Sequence, residues 1–185
     1  LMLTGKSLPA LLAKKQGMVD VVVPERHVRE AVAQVVAGKL NKTKRRLPHW
    51  EMAGSSYFLT FRLAVGELTE PERQIVLDHI TSGDPKIYRL WAAVVMPDHV
   101  HLLLRPNLGV ALARVMKGIK GVSAKRVNDL RQTRGPLWQD ESYDRIMRDA
   151  DEALEKAEYL LANPVRAGMV EAGELYPYLI SKLVP

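Results

Sequence analysis

The sequence contains no cysteine, and this absence removes several kinds of chemistry at once. Disulfide bonds, thiolate metal sites and a cysteine nucleophile are all excluded. The chain also lacks any apolar run of the roughly 20 residues that a membrane-spanning helix requires. Its first residues do not show the basic, apolar and small-residue segments of a secretory signal in series. We therefore expect a cytoplasmic protein that makes no contact with a membrane.

The 185 residues carry a net charge of +6 that is unevenly distributed along the chain. Residues 1–50 hold ten lysine and arginine residues against three acidic residues, and residues 105–148 hold ten against four. Two separate basic blocks favour a polyanionic partner, and nucleic acid is the commonest polyanion. The ordinary alternative is that each block is only a solvated face.

The N-terminal block differs from the rest of the chain. Residues 25–38 have the spacing of a short amphipathic helix, and the basic segment 39–46 that follows has little to bury. We predict that residues 1–48 form a basic, partly helical extension and that residues 49–185 form the folded domain. The extension would serve as a tether or as an arm that binds nucleic acid.

Hydrophobic periodicity predicts a mixture of strands and helices in the folded domain. Alternating or continuous apolar runs indicate strands, and apolar residues spaced three and four apart indicate helices. Residues after Gly168 form an acidic tail. The predicted strands cover 55–65, 87–96, 99–105 and 138–148, and the predicted helices cover 70–82, 108–131 and 150–162.

The most informative stretch is 96–104, which reads Met-Pro-Asp-His-Val-His-Leu-Leu-Leu. Successive side chains of a strand point to opposite faces, so His99 and His101 share one face of the third strand. Two imidazoles held on a rigid strand are two preplaced metal ligands. A His-x-His pair alone is nevertheless more often a pair of exposed strand residues than a metal site.

A second group of candidates lies on the last predicted helix. Glu155, Tyr159 and Asn163 are spaced four apart and therefore lie along one helix face. A tyrosine can act as a covalent nucleophile, and an amide oxygen can complete a metal site begun by two imidazoles. The ordinary alternative is a packed ring followed by a helix C-cap. Pro164 is expected to stop this helix at Asn163.

These residues resemble, in order along the chain, the motifs of a known family. Residues 96–101, Met-Pro-Asp-His-Val-His, resemble the histidine–hydrophobic–histidine motif of HUH endonucleases. Residues 138–149 resemble the segment before the catalytic helix in REP-associated tyrosine transposases, and residues 57–62 resemble their first strand. The ending Tyr-Leu-Leu-Ala-Asn-Pro-Val-Arg-Ala-Gly-Met-Val at 159–170 resembles the ending of the same group. The resemblance runs from about residue 49 to residue 170.

The resemblance implies an α+β fold of the HUH-endonuclease type, with helices packed on one face of a ferredoxin-like antiparallel β-sheet. It implies that His99, His101 and Asn163 hold a divalent metal, Mg²⁺ or Mn²⁺, which would polarise the scissile phosphodiester. Tyr159 would attack that phosphodiester and leave a 5′-phosphotyrosine and a free 3′-OH. The expected partner is single-stranded or hairpin DNA, bound by a monomer or a homodimer.

Basic and polar side chains downstream of the histidines are the candidate DNA contacts. A basic stripe runs along the helix predicted over 108–131, where it is well placed to follow phosphates. The segment before the last helix adds further candidates. The full set is Arg114, Lys117, Lys120, Lys125, Arg126, Gln139, Arg145 and Arg148.

Three functions remain open from the sequence alone. The first is a metal-dependent single-strand DNA endonuclease and transposase with Tyr159 as the nucleophile. The second is a catalytically idle nucleic-acid-binding protein, and the third is a metal-dependent phosphodiesterase that uses water in place of tyrosine. Tyr143 is the rival nucleophile, but only Tyr159 has an asparagine one helical turn further on.

Overall fold

The computed structural model describes residues 41–43, 49–52 and 54–182. The helix predicted over 25–38 lies outside the described residues and stays a prediction. The strands are β1 (Asn41–Thr43), β2 (His49–Glu51), β3 (Tyr57–Leu63), β4 (Tyr88–Val95), β5 (His99–Pro106), β6 (Trp138–Ile146) and β7 (Leu179–Ser181). The helices are α1 (Glu70–Ser82), α2 (Leu112–Arg131), α3 (Ala150–Leu161) and α4 (Asn163–Arg166).

Strands β3 to β7 form one five-stranded sheet in the order β6-β3-β5-β4-β7, and every neighbouring pair is antiparallel. The segment from β3 to β6 follows the order strand, helix, strand, strand, helix, strand. If these four strands are numbered along the chain, their order across the sheet is fourth, first, third, second, which is the ferredoxin-like arrangement. The predicted α+β fold is therefore confirmed.

A separate two-stranded pairing precedes this sheet. Strands β1 and β2 pair antiparallel, with Asn41 opposite Glu51. The pairing spans the boundary predicted between residues 48 and 49, because β1 lies in the basic segment 39–46 and β2 lies at the start of the predicted folded domain. The division of the chain at that boundary stays a prediction.

The two faces of the sheet carry different helices. Trp138 donates from Nε1 to the Ser123 hydroxyl of α2 at 3.0 Å and packs edge-on against Phe61, whereas Tyr159 of α3 packs edge-on against Phe58. Phe58 and Phe61 are three residues apart on β3 and therefore point to opposite faces. Helix α1 packs against α2, so α3 lies on the other face from both. The expectation of helices on one face only is wrong, because α3 adds a second layer.

Two helix boundaries differ from prediction for local reasons. Helix α2 begins at Leu112 and not near 108, because Gly109 has a φ of +80°, which lies outside the right-handed helical region. Helix α3 ends at Leu161, and α4 begins at Asn163 with Pro164 in its first turn. Proline is tolerated in a first turn because those N–H groups have no partner within the helix.

Strand β7 was not predicted from the sequence. It is short, and its position depends on side chains just before it that are buried against distant parts of the chain. Tyr176 donates its hydroxyl to the Val95 carbonyl at 3.0 Å, and the Arg73 guanidinium lies 4.5 Å from the centre of the Tyr178 ring. These anchors lie far apart in sequence, so local periodicity does not reveal them. No helix within the described residues is both long and apolar enough to cross a membrane.

A buried ion pair joins the start of α1 to the end of α2. The Glu72 carboxylate accepts hydrogen bonds from the Thr69 N–H at 2.8 Å and from the Arg131 Nε at 2.6 Å and Nη2 at 2.8 Å. The Arg131 hydrogen bonds hold the pKa of Glu72 at about 2, against an ordinary value of 4.5. A carboxylate with a lowered pKa stabilises the fold above its unfolded-state pKa, and that stabilisation disappears as the pH falls towards 2.

We expect Glu72→Gln to lower the free energy of unfolding by about 3 kcal/mol at pH 7. The deficit should shrink as the pH falls from 4.5 towards 2, because Glu72 itself becomes protonated in that window. Urea unfolding at pH 7, 5 and 3 measures this. Glu70→Gln is the matched control, since its exposed carboxylate lies 3.8 Å from Arg73, and it should change the stability by less than about 1 kcal/mol. Equal losses in the two variants at pH 7 would contradict the assignment.

Candidate metal and nucleophile site

Strand β5 places two imidazoles side by side on the face of the sheet that α3 covers. The Nε2 atoms of His99 and His101 lie 3.1 Å apart, and the ring centres are 4.6 Å apart. The alternation of a strand accounts for this arrangement, because the two residues are separated by Val100, which points into the core on the opposite face. The expected pairing of the two histidines on one face is therefore present in the fold.

The other ring nitrogens of the two histidines are held by neighbouring side chains. The Nδ1 of His99 is 2.5 Å from Asp98 Oδ1, and the Nδ1 of His101 is 2.7 Å from the Thr60 hydroxyl oxygen. Arg62 donates from Nη1 to the other Asp98 oxygen at 2.9 Å. With Nδ1 engaged in both rings, the two Nε2 atoms lie within hydrogen-bonding distance of each other. Partners of this kind orient metal-ligating histidines and set their tautomer.

The electrostatics of the site keep His101 neutral. Burial, helped by the nearby His99 and Arg62, lowers the pKa of His101 from 6.5 to about 3. Phe58 contributes to that burial, since its ring stacks on His101 with 5.4 Å between centres. Although burial alone would raise the pKa of Asp98, the hydrogen bond to His99 and the charge of Arg62 bring it below its ordinary value. Asp98 therefore stays a carboxylate while His101 keeps a lone pair available.

Helix α3 brings Tyr159 onto this pair. Its ring packs edge-on against His101, with 5.7 Å between ring centres, and against Phe58 at 6.1 Å. The guanidinium of Arg166, on α4, lies 5.3 Å from the centre of the same ring. Tyr159 is 39% exposed, so a large part of it is accessible to a ligand. A tyrosine beside two imidazoles can react with a ligand that the imidazoles hold.

Asn163 begins α4 and is half-buried. Ala162, between α3 and α4, keeps helical angles of φ −75° and ψ −11°, so Asn163 follows Tyr159 by about one turn. Within the described residues, no group of three or more His, Cys, Asp or Glu side chains is arranged to hold a metal ion. A third protein ligand beside His99 and His101 would thus be of another type, such as an amide.

The two imidazoles fit the divalent metal that the family resemblance implies. Nitrogen ligands at about 2.1 Å from a divalent ion, placed at a right angle, lie about 3.0 Å apart. The observed separation of the two Nε2 atoms is 3.1 Å. The chemistry of the residues fits as well, because imidazoles with carboxylate and hydroxyl partners on Nδ1 are good ligands for a divalent ion.

The basic candidates on α2 lie on the opposite face of the sheet from the histidines. Arg114, Lys117 and Lys120 line a shallow cavity of about 470 Å³ between α2 and the start of β6. Lys120 donates to the Gln139 carbonyl at 2.7 Å and to the Asp140 carbonyl at 2.9 Å. Further along α2, Lys125 pairs with Asp129 at 2.6 Å and Arg126 is exposed.

The remaining DNA-binding candidates make contacts within the protein. Arg145 and Arg148 both pair with the buried carboxylate of Glu152, at the start of α3. Although burial alone would raise the pKa of Glu152, the hydrogen bonds from these arginines hold it at about 2. Gln139 donates from Nε2 to the Leu63 carbonyl at 3.0 Å. These three side chains have structural partners, which sequence reasoning had not indicated.

Tyr143, the rival nucleophile, lies on β6 opposite Thr60 and is 53% exposed. Thr60 in turn lies opposite His101, so one strand separates Tyr143 from the histidine. Tyr159 is the tyrosine whose ring contacts His101.

Sequence reasoning also missed several members of the site. Thr60 and Arg62 on β3 become neighbours of the histidines only through the pairing of β3 with β5. Asp98 had a detectable signal, because it directly precedes His99 in the motif at 96–101. Arg166 is part of the ending at 159–170, but its contact with Tyr159 depends on how α4 follows α3.

Comparison with known protein families finds a match over the central part of the chain. The family model described as "Transposase IS200 like" matches residues 65–156, about half of the chain, and the match includes both histidines. The chain belongs to this family of transposases.

Among individual proteins, REP-associated tyrosine transposases are similar to this chain. One from Haemophilus influenzae is 25% identical over 97 residues, covering 47% of this chain and 55% of the relative. The chain thus spans about half the length of that relative. A solved REP-associated tyrosine transposase bound to a REP hairpin has a TM-score of 0.63 at 19% identity, over 73% of this chain and 81% of that one. That match confirms the fold. A Deinococcus radiodurans transposase has a TM-score of only 0.40 at 24% identity, over 64% and 95%.

We expect Asp98→Asn to weaken Mn²⁺ binding about 10- to 100-fold, because the amide can no longer hold the His99 ring as a carboxylate does. Isothermal titration of the purified protein with MnCl₂ measures the affinity directly. Asp129→Asn is the matched control, since its carboxylate pairs with Lys125 on the other face of the sheet. Equal Mn²⁺ affinity in the two variants would show that Asp98 does not support a metal ligand.

Proposed function

We propose that this protein is a metal-dependent single-strand DNA endonuclease and transposase that cleaves and rejoins DNA through a 5′-phosphotyrosine intermediate. The observation that supports this most strongly is the contact between the Tyr159 and His101 rings, with 5.7 Å between centres, in a member of the IS200-like family. The substrate would be single-stranded DNA that carries a hairpin of the REP type, like the REP hairpin bound by the similar transposase of known structure.

His99, His101 and Asn163 would hold Mg²⁺ or Mn²⁺, which would polarise the scissile phosphodiester and neutralise charge on its oxygens. The ligand set suits an anionic substrate, because two imidazoles and an amide are neutral. Three carboxylates at the same place would repel the phosphate. The lowered pKa of His101 keeps that imidazole neutral throughout the physiological range.

Tyr159 would be the nucleophile. Its phenolic oxygen would release its proton to solvent and form a bond to phosphorus as the bond from phosphorus to the 3′ oxygen breaks. The 3′ oxygen would take up a proton from solvent and leave as a hydroxyl. The Arg166 guanidinium lies over the Tyr159 ring, 5.3 Å from its centre, where its positive charge faces the approaching phosphate. In the reverse direction a 3′-OH would attack the phosphotyrosine and release Tyr159. No ATP is required, because the ester to tyrosine conserves the bond.

The placement of residues bears on how DNA would be held. Tyr159 contacts His101 of its own chain, so a single chain can supply nucleophile and metal ligands together. The basic residues of α2 lie on the other face of the sheet and would therefore bind a different part of the DNA from the scissile phosphate. Of these, Arg114 and Lys117 are exposed and available to phosphates.

We expect the wild-type protein to form a covalent adduct with labelled, hairpin-bearing single-stranded DNA in the presence of Mg²⁺ or Mn²⁺, and Tyr159→Phe to abolish it. The phenyl ring keeps the packing against Phe58 and His101 but has no attacking oxygen. A denaturing gel separates the adduct from free DNA. Tyr143→Phe is the matched control and should retain the adduct.

The other outcomes identify the competing functions. Binding without an adduct in the wild-type protein would support a catalytically idle nucleic-acid-binding protein. Cleavage that survives Tyr159→Phe would support a phosphodiesterase that uses water. Loss of the adduct in Tyr143→Phe alone would transfer the role of nucleophile to that residue.

We expect His99→Ala to lose at least 100-fold in cleavage rate while it retains DNA binding, because the metal contributes to the reaction more than to affinity. Asn163→Ala should raise the Mn²⁺ concentration needed for half-maximal cleavage by about tenfold or more. Asn128→Ala is the control. Its side-chain amide lies near the end of α2 and donates to the Gly135 carbonyl in the loop that follows. Single-turnover cleavage across a Mn²⁺ series measures both effects, and a response of Asn163→Ala equal to that of the control would remove Asn163 from the ligand set.

A further inference from the structure

A second group of side chains lies at one end of the β4–β5 pair, and Asp98 lies at the other end, where the two strands connect. Arg89 on β4 lies directly opposite Arg105 on β5, and both side chains are exposed. Like charges directly opposite each other destabilise an antiparallel pair. The fold does not require two arginines at this position, so the pair is better explained by an anionic ligand than by stability.

A β-bulge adds an aromatic ring to this pair. Leu90 pairs with Leu104 and Ala92 pairs with Leu103, which leaves Trp91 as the extra residue of β4. The Arg105 guanidinium lies 5.9 Å from the centre of the Trp91 ring, and the ring is partly exposed. Bulges commonly redirect a side chain beside a functional site. We call Arg89, Trp91 and Arg105 the arginine–tryptophan patch.

The patch shares a sheet face with the two histidines. His99, His101 and Arg105 occupy alternate positions of β5, with Leu103 between the last two, so all of them point the same way. Four residue steps along the strand separate His101 from Arg105, which is about 13 Å. Leu103 between them is buried and α3 packs on β4 and β5, so DNA that joined the two places would pass around α3. At about 3.4 Å per nucleotide, it would need more than about four nucleotides.

An acidic side chain close to Arg89 is already engaged. Asp84, in the turn before β4, accepts the Leu90 N–H at 3.2 Å and pairs with the Lys182 ammonium. Its side chain is only 6% exposed. This one carboxylate interacts with two cations, Lys182 and Arg89, and Arg105 adds a third positive charge beside Trp91.

We infer that the arginine–tryptophan patch binds single-stranded DNA that flanks the scissile phosphate. The two guanidinium groups bind phosphates, and the Trp91 ring stacks on a base. The inference rests on the proposed function, since it treats the histidine site as the place of cleavage. It adds a contact region on the same sheet face as that site, away from the basic residues of α2.

The test uses dT12 oligonucleotide and the Tyr159→Phe protein without metal, so that no cleavage occurs. We expect the Arg89→Ala/Arg105→Ala double variant to bind dT12 at least tenfold more weakly, with a salt slope that is smaller by about 1.4, as for two lost phosphate contacts to a single strand. Trp91→Ala should bind about 5- to 100-fold more weakly, and Trp91→Phe should recover part of that loss. Fluorescence anisotropy across a salt series measures all of these.

Two further measurements separate binding from structure. dT12 should quench tryptophan fluorescence in the Tyr159→Phe protein, and Trp91→Phe should remove most of that quenching. Thermal unfolding of the arginine variants should be unchanged or shifted upward, because a repulsive pair is removed. Arg134→Ala, an exposed arginine in the loop after α2, is the charge-matched control and should alter dT12 affinity by less than twofold.

The inference is overturned if the double arginine variant binds dT12 like Arg134→Ala, or if dT12 leaves the fluorescence of Trp91 unchanged. If an adduct forms on Tyr159 while the patch variants bind like the control, this inference alone fails. If no adduct forms but the patch variants lose dT12 binding, the proposed cleavage alone fails. Failure of the Tyr159→Phe protein to bind dT12 would overturn this inference, while the adduct assay with hairpin-bearing DNA decides the proposed cleavage.

Discussion

The candidate site depends on the antiparallel pairing of β5 with β3. In this register Thr60 lies opposite His101 and Arg62 lies opposite His99, so the strand that carries the imidazoles is held beside the strand that orients them. A slip of one residue would move both histidines to the opposite face of the sheet. The buried leucines of β5 oppose such a slip, because they too would leave their places in the core.

Burial and charge balance give the site its chemical character. His101 lies under Phe58 and Tyr159, and its lowered pKa keeps an uncharged donor next to the ionised Asp98. The same balance is found elsewhere, where the buried Glu72 and Glu152 carboxylates are each held by arginine. The protein therefore uses part of its positive charge in internal pairs. Only arginines and lysines outside such pairs are available to phosphates.

The sheet divides the basic surface into two regions. Helix α2 presents Arg114 and Lys117 on one side, while the histidines, Tyr159 and the arginine–tryptophan patch lie on the other. A DNA molecule with a folded part and a single-stranded part has two kinds of segment to bind, and two faces can hold them separately. This division follows from α3 and α2 packing on opposite faces, which the linear order of basic residues does not show.

The sequence by itself determined the main strands and helices, the shared face of His99 and His101, and the one-turn spacing of Tyr159 and Asn163. These are local properties that repeat with the period of a strand or a helix. Only the tertiary structure decided that α3 covers the histidine face and that Thr60 contacts His101. It also decided that Arg145 and Arg148, two of the predicted DNA contacts, pair with Glu152. It likewise decided the position of β7, because the buried Tyr176 and Tyr178 just before that strand contact residues far along the chain. Such contacts join residues remote in sequence, so they depend on register and packing that no local pattern encodes.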